Sequence, residues 1–264
     1  TSVIVGGFNI EDDYFAGAGD NGWRDLGLLV EGPAVARLAP YFDALKAWVH
    51  APGGKFRDLR ATLKRASETS GPVRWLMGGP TRRLSPWAIA IKREMEQASQ
   101  LSIIAGYFAP NPAILRRIER VAKRGGSSRV MTASLSDNDA TIAAARHTYA
   151  RLLRRGVRVF EYVATKLHTK LFVIDDAVHI GSANLDIRSL YINLELMLRV
   201  EDARFATLVR HYYDAELDDA REIVPTEHGR HGWFARLKWG AAYFLVAVLD
   251  LNVTRRLNFG LDGR

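Results

Sequence analysis

From residue 72 onward, short apolar segments alternate with longer segments whose apolar residues recur every three or four positions. The first kind is typical of buried strands, and the second is typical of helices that cover a sheet. The predicted strands lie at 73–77, 101–107, 129–133, 157–162 and 194–200, and the predicted helices at 87–99, 112–124, 141–155 and 203–220. This alternation predicts an α/β fold whose parallel or mixed sheet carries helices on its faces.

The N-terminal part follows a similar pattern over a shorter length. Apolar runs at 3–5 and 26–30 predict two strands, and Pro33 suits the first turn of a helix over 34–49. The segment 55–71 is polar and basic, and we expect it to be a mobile excursion at the surface.

Two pairs of segments indicate an internal duplication. Residues 6–9 match residues 181–184 in kind, and residues 25–31 align with residues 195–201 without a gap. The connection after the first segment is five residues longer, which predicts an insertion at 16–22. The first copy lacks its beginning, and a start at Thr1, without an initiator Met or a basic leader, predicts neither a signal peptide nor a natural N-terminus.

Composition limits the available chemistry and the class of partner. The chain of 264 residues contains no cysteine, so thiolate nucleophiles, disulfides and Cys-based metal sites are excluded. A formal net charge of +8 favours anionic partners, such as phospholipid headgroups, nucleic acids or phosphorylated metabolites. The longest apolar stretch, 240–249, is shorter than the roughly 20 residues of a membrane span.

One run of residues brings polar groups to the start of a buried strand. His168 and Lys170 are two positions apart, so in a strand their side chains point to the same face. The apolar residues 171–174 follow, and Asp175 ends the strand. After a short return strand, Gly181 and Ser182 permit a close backbone approach, and Asn184 can donate amide hydrogens beside the same site.

This group of side chains suits phosphodiester chemistry without a metal ion. The neutral imidazole of His168 can attack phosphorus, while Lys170 and Asn184 stabilise charge on the non-bridging oxygens. Glu195, on the neighbouring strand, is the predicted acceptor for the other ring nitrogen of His168. A leaving alkoxide needs a proton, and one imidazole cannot be both nucleophile and acid, so a second histidine is required.

The remaining candidates have simpler interpretations. His179 flanks the motif and is predicted to be structural, and five further histidines are predicted to lie at the surface: His50, His147, His211, His228 and His231. The C-terminal stretch 233–246 is basic and aromatic. It predicts either an interfacial membrane helix or a last helix packed on the domain.

The spacing His168-x-Lys170-x4-Asp175, followed by Gly-Ser-x-Asn184, resembles the HKD motif of the phospholipase D superfamily. Further segments over nearly the whole chain are similar to bacterial cardiolipin synthases, among them Trp23-Arg24-Asp25 and residues 107–110. Between Asp175 and Gly181 the chain has one residue fewer than the family pattern, which predicts a tightened turn.

The resemblance implies a phospholipase D-like fold of two pseudo-two-fold-related repeats, each a mixed sheet flanked by helices. Residues 1–71 would be the truncated remainder of the first repeat, and residues 72–264 the second repeat with a complete motif. The histidine and lysine of a first motif would lie before Thr1. The implied catalytic residues are His168, Lys170, Asp175, Asn184 and Glu195; Ser182 and Asn9 would bind the substrate phosphate, and Asp25 would support the missing first histidine.

The resemblance also implies an enzyme that works through a phosphohistidine, with no metal or other cofactor. We expect a cardiolipin synthase-like phosphatidyltransferase or phospholipase D-type phosphodiesterase that acts on anionic phospholipids. It would be peripheral, on the cytoplasmic side of the membrane. Two alternatives stay open: an HKD-type nuclease that acts on DNA, and a catalytically inactive module that binds anionic lipid.

Overall fold

The computed structural model describes residues 2–15, 22–81 and 84–249. The strands are β1 (Ser2–Gly6), β2 (Trp23–Arg24), β3 (Gly27–Glu31), β4 (Val73–Gly78), β5 (Gln100–Ala105), β6 (Ser127–Ala133), β7 (Arg158–Tyr162), β8 (Lys166–Leu167), β9 (Lys170–Ile174), β10 (Ala177–Gly181), β11 (Glu195–Glu201) and β12 (Ala220–Glu222). The α-helices are α1 (Leu38–His50), α2 (Phe56–Ala66), α3 (Pro86–Gln97), α4 (Pro112–Lys123), α5 (Asp139–Leu153), α6 (Ile187–Tyr191), α7 (Ala203–Ala215), α8 (Pro225–Arg230) and α9 (Trp233–Phe244).

Within the described residues, eight strands form one mixed sheet in the order β12-β7-β6-β5-β9-β10-β11-β4. The strands β5, β6 and β7 are parallel and are linked through α4 and α5, because parallel neighbours need a long crossover connection. The neighbouring strands β9, β10, β11 and β4 are antiparallel. The predicted mixed α/β sheet is therefore confirmed.

Helices α3, α4 and α5 cover one face of this sheet. The core there includes Trp87 of α3, Ile118 of α4 and Tyr149 of α5, which lie against Ile103 and Phe172 of the sheet. All five residues are at most 1% exposed. Burial of this kind contributes roughly 1.5–3 kcal/mol for each large apolar side chain, so this face supplies much of the stability.

The other face is covered by α7 and by a ribbon of β1 paired with β3. Val209 and Tyr213 of α7 pack on Leu171 and Val173 of β9, whose alternate residues are buried on the first face. The ribbon contributes Val5 to a second cluster with residues of α2, β4 and β11. Because β9 is buried on both faces, a polar residue at its start is held in a fixed position.

The pairing registers reveal the internal duplication. In the ribbon, Gly6 pairs with Gly27 and Ser2 with Glu31. In the large sheet, Gly181 pairs with Met197 and Ala177 with Glu201. These pairs occupy corresponding positions of the aligned segments 25–31 and 195–201, so both copies form the same antiparallel ribbon. The insertion predicted at 16–22 lies outside the described residues except for Gly22.

The segment 55–71 differs from its prediction. It contains α2, whose Leu59 and Leu63 are buried against Trp75 and Met77, so it is not a surface excursion. The signal for this helix in the sequence is a pair of apolar residues four positions apart within a basic segment. The predicted helix 203–220 is also shorter, because its last residues form a 3₁₀ turn and then β12.

The C-terminal helix α9 packs along α5. Trp239 and Ala242 are buried with Ala143, which bears out the packed-helix interpretation for this face. His228 is also buried and stacks on Trp239, so its predicted surface position is wrong. In the described ranges, we find no helix with the length and apolar character needed to cross a bilayer.

Candidate functional site

His168 lies between β8, which pairs with β2, and β9 of the large sheet. The short strands β2 and β8 pair in parallel, and the backbone N–H of His168 donates to the carbonyl oxygen of Arg24 at 2.8 Å. Arg24 itself forms a two-point ion pair with the buried carboxylate of Glu216, at the end of α7. The N-terminal region thus fixes the backbone at the predicted nucleophile.

The carboxylate that contacts His168 belongs to Asp25. Asp25 Oδ2 lies 2.7 Å from His168 Nδ1, and both side chains are largely buried. Asp25 Oδ1 accepts the Leu26 N–H at 2.8 Å, which fixes the carboxylate. The predicted pairing of His168 with Glu195 is therefore wrong, as is the assignment of Asp25 to a missing histidine. The prediction took the partner from a strand of the large sheet, whereas the partner lies in the connection between β2 and β3.

Lys170 lies beside this pair and is only 3% exposed. Its Nζ donates to the carbonyl oxygen of His168, and its stem lies against Gly7, where a Cβ would overlap it. Burial lowers the pKa of Lys170 to about 8, although the carboxylates of Asp25 and Glu195 oppose that shift. The ammonium is thus charged at neutral pH and weakly hydrated, which strengthens its action on a nearby anion.

Asn184 is fixed through both its backbone and its side chain. Its Oδ1 accepts the Tyr107 N–H at 3.2 Å, and its own N–H donates to Ser189 Oγ at 3.1 Å. With the amide oxygen engaged, the Nδ2 hydrogens are the groups available to a substrate oxygen. Asp186 caps α6 through the Ser189 N–H, and burial raises the pKa of Asp186 to about 6.

Glu195 is held by a different set of partners. Ser182 Oγ donates to Glu195 Oε2 and accepts the Leu196 N–H at 3.0 Å, and Asn193 Nδ2 donates to Glu195 Oε1 at 3.2 Å. The hydroxyl hydrogen of Ser182 is thus donated to Glu195, and the prediction that Ser182 binds the substrate phosphate is corrected accordingly. Similarly, Gly181 permits close approach to the backbone carbonyl of Leu196, not to a bound group.

Asn9 and Asp175, two further predicted site residues, are engaged in other contacts. Asn9 is exposed, and its Nδ2 donates to the hydroxyl of Tyr14 at 3.4 Å; its phosphate-binding role stays a prediction. Asp175 follows the far end of β9, about 17 Å along the strand from Lys170. Its Oδ1 accepts the N–H groups of Ser99 and Gln100, and it has a φ of 49° in a two-residue turn between β9 and β10. Asp175 is therefore a turn residue, and its position beyond the far end of β9 contradicts the catalytic role predicted for it. The turn has two residues, which is consistent with the short spacing in the sequence.

Sequence reasoning missed an aromatic wall around the imidazole. The ring centroids of Tyr14, Trp23 and Tyr107 lie 5.2, 5.4 and 6.4 Å from that of His168, each in an edge-on arrangement. Burial, followed by the charge of Asp25, raises the pKa of Tyr14, and burial raises the pKa of Tyr107 to about 12. The three rings thus surround the imidazole of His168 with apolar contacts. The Trp23-Arg24-Asp25 segment was the available signal.

His179 lies on β10 away from the wall and is fully buried. Its Nε2 is 2.6 Å from Glu94 Oε2, and Glu94 also accepts from Arg199. The predicted structural role agrees with this contact. Across residues 2–15, 22–81 and 84–249, no group of three or more His, Asp or Glu side chains is placed to hold a metal ion.

Comparisons with known proteins identify the family that the chain resembles. A family described as "Cardiolipin synthase, PLD-like domain" matches residues 91–217, which include the strand with Lys170 and the loop with Asn184. The chain is 28% identical over 258 residues to a cardiolipin synthase of Halalkalibacterium halodurans, covering 94% of this chain and 50% of that protein. It is 32% identical over 229 residues to cardiolipin synthase A of Pseudomonas fluorescens, covering 85% of this chain and 47% of that protein. The chain thus spans about half the length of the curated relatives it matches.

The fold also has a solved counterpart. The crystal structure of phosphatidylserine synthase from Haemophilus influenzae superposes with a TM-score of 0.69 at 12% sequence identity, covering 98% of this chain and 68% of that one. The similarity therefore includes the N-terminal ribbon as well as the large sheet. With the HKD spacing, the family match and this fold, the chain belongs to the phospholipase D superfamily.

Proposed function

We propose that the protein is a cardiolipin synthase-like phosphatidyltransferase that acts on phospholipid phosphodiesters through a phosphohistidine. The observation that carries this proposal is the buried contact between Asp25 and His168 Nδ1, with Lys170 beside it. A proton held on Nδ1 by the carboxylate leaves the lone pair on Nε2, which is the atom that attacks phosphorus.

The first step forms a bond between His168 Nε2 and phosphorus and breaks the bond from phosphorus to the leaving alcohol. Negative charge on the non-bridging oxygens is stabilised by the Lys170 ammonium and the Asn184 amide. The leaving alkoxide takes a proton from a second histidine. In the second step that histidine removes a proton from an incoming hydroxyl, whose oxygen attacks phosphorus and releases His168.

The second histidine is proposed to come from the first of two related repeats. Asp25 and Glu195 occupy equivalent positions in the duplication, and Asp25 contacts the histidine of the other copy. By the same symmetry, Glu195, oriented by Ser182 and Asn193, would support a first-repeat histidine, with Asn9 beside it as the counterpart of Asn184. We also propose that the first repeat ends at residue 71 and the second begins at residue 72.

The substrate class and location are also proposals. The curated relatives are named as cardiolipin synthases, and the charge of +8 suits an anionic phospholipid substrate. A peripheral position on the cytoplasmic surface agrees with that charge, because the cytoplasmic leaflet is anionic.

Product analysis tests the function. A protein that contains both proposed repeats in full is incubated with phosphatidylglycerol, and the lipids are separated. Transfer yields cardiolipin and glycerol, whereas hydrolysis yields phosphatidic acid. His168→Ala should abolish both products without loss of folding, and near-normal turnover in that variant would refute the mechanism. Salt-sensitive cleavage of DNA without action on lipid vesicles would instead support the nuclease alternative.

A further inference from the structure

The face of α9 that points away from α5 is apolar and exposed. Trp233, Phe234, Leu237 and Phe244 are between 51% and 69% exposed, and the first two rings stack on each other. With 100° between successive residues, the four side chains fall within an arc of roughly 100° on the helix. We call these four residues the α9 ridge.

The helix has opposite faces with different roles. Ala235, Trp239 and Ala242 point toward α5 and pack on Ala143. The ridge lies on the side opposite these residues, and so the packing of α9 on the domain does not account for it. An exposed apolar stripe of this kind usually marks an interaction surface.

Positive charge surrounds the ridge. Arg236 and Lys238 are exposed and lie about 100° to either side of Leu237 around the helix. The sequence contains no Asp or Glu from residue 228 to residue 249. Aromatic rings in the centre with cations at both edges are the pattern of a helix that lies in the interface of an anionic bilayer, where the cations reach phosphate groups.

The C-terminal end of α9 is connected to the candidate site. Tyr243 donates its hydroxyl hydrogen to the carbonyl oxygen of Pro110 at 2.7 Å. Pro110 is three residues after Tyr107, whose ring borders His168. A bilayer that binds α9 would therefore hold the loop of Tyr107 and Pro110, which borders His168, at a fixed distance from the membrane surface.

We propose that the α9 ridge is an in-plane membrane-binding helix that inserts into the headgroup region of an anionic phospholipid bilayer. The proposal goes beyond the catalytic function and does not depend on it. It assigns membrane contact to one surface, which is distinct from the phosphodiester site.

Vesicle sedimentation tests the proposal with the 264-residue chain. The chain should bind phosphatidylcholine vesicles that contain phosphatidylglycerol, and more weakly vesicles of phosphatidylcholine alone. The double variant Trp233→Ser/Phe234→Ser should lower the affinity by about tenfold or more, because two large apolar groups no longer enter the interface. The matched control is Leu208→Ser, which removes an equally exposed leucine from α7 and should leave binding unchanged.

Two further variants separate charge from insertion. Lys238→Gln should weaken binding about fivefold at low salt and have little effect at high salt. Trp233→Phe keeps the ridge apolar but removes one fluorophore, so it should retain binding and lose the part of the tryptophan emission that brominated lipids quench.

The outcomes are distinct from those of the catalytic test. His168→Ala should bind vesicles as well as the wild type, so a failed enzyme assay leaves this inference intact. Absence of vesicle binding, or unchanged binding in a correctly folded double variant, would overturn it. Self-association in sedimentation velocity that disappears in the double variant, without vesicle binding, would assign the ridge to a second copy of the chain and would also overturn it.

Discussion

Replacement of Lys170 by Met should stabilise the fold while it removes activity. The side chain is buried, and burial lowers its pKa from 10.5 to about 8. A pKa that is lower in the folded state than in the unfolded state means that the charged form opposes folding. The difference of roughly 2.5 between the two values, at 1.36 kcal/mol per unit, corresponds to about 3 kcal/mol below pH 8.

The sign of the pH dependence follows from proton counts. Between pH 8 and 10.5 the unfolded lysine keeps its proton and the folded one has lost it, so the free energy of unfolding of the wild type rises with pH. Lys170→Met lacks this rise. At pH 7 the variant should be more stable by about 2 kcal/mol, after allowance for the lost hydrogen bond to the His168 carbonyl. The advantage should vanish as the pH rises and become a deficit of about 1 kcal/mol near pH 10.5, where only the lost hydrogen bond remains.

Urea unfolding at several pH values measures this difference, and turnover of phosphatidylglycerol measures activity. The control is Lys123→Met on the exposed end of α4, which should change the pH dependence of neither quantity. In the wild type, turnover should fall above pH 8 as the ammonium loses its proton. A Lys170→Met variant that is less stable than the wild type at every pH would refute the argument that the buried ammonium of Lys170 lowers the free energy of unfolding.

Three other substitutions test the structure. Asp25→Asn should reduce turnover by on the order of 10³–10⁴-fold. In ¹⁵N spectra it should also abolish the preference of His168 for a proton on Nδ1, and an unchanged spectrum would show that Asp25 does not hold that proton. Gly181→Ala should lower the free energy of unfolding by more than about 2 kcal/mol, because its Cβ overlaps a backbone carbonyl, whereas Gly229→Ala, with open space around it, should be neutral in the same urea titration. His179→Ala should cost about 2–4 kcal/mol in thermal or urea unfolding yet leave turnover per folded molecule unchanged, and a large loss of turnover would contradict its structural role.

Periodicity predicted the large sheet well, because its strands are buried and its helices are amphipathic. The short strands β2 and β8 were not predicted, since two residues carry no periodic signal and their pairing joins segments far apart in the sequence. Segment 55–71 was misjudged from its charge, although Leu59 and Leu63 at helical spacing showed a buried face. Composition was a poorer guide there than periodicity.

The motif predicted the residue types at the site better than their contacts. His168, Lys170 and Asn184 do lie at the same end of the central strands β9 and β10, as a strand period of two and a following loop allow. The choice between Asp25 and Glu195 depended on which copy of a duplicated ribbon faces His168, and sequence alignment cannot give that answer. The motif also did not indicate that Asp175 lies at the opposite end of β9 from Lys170, where it shapes a turn.

The contact of Asp25 with His168 joins residues 143 positions apart. Closing so long a loop is slow and entropically costly, whereas β9 and β10 need only a two-residue turn. During refolding, the hairpin can therefore form while the imidazole still rotates freely, and the nucleophile acquires its orientation only when the N-terminal ribbon docks. The recovery of activity should consequently lag behind the recovery of secondary structure. The slow step would be the docking of the N-terminal segment that brings Asp25 to His168.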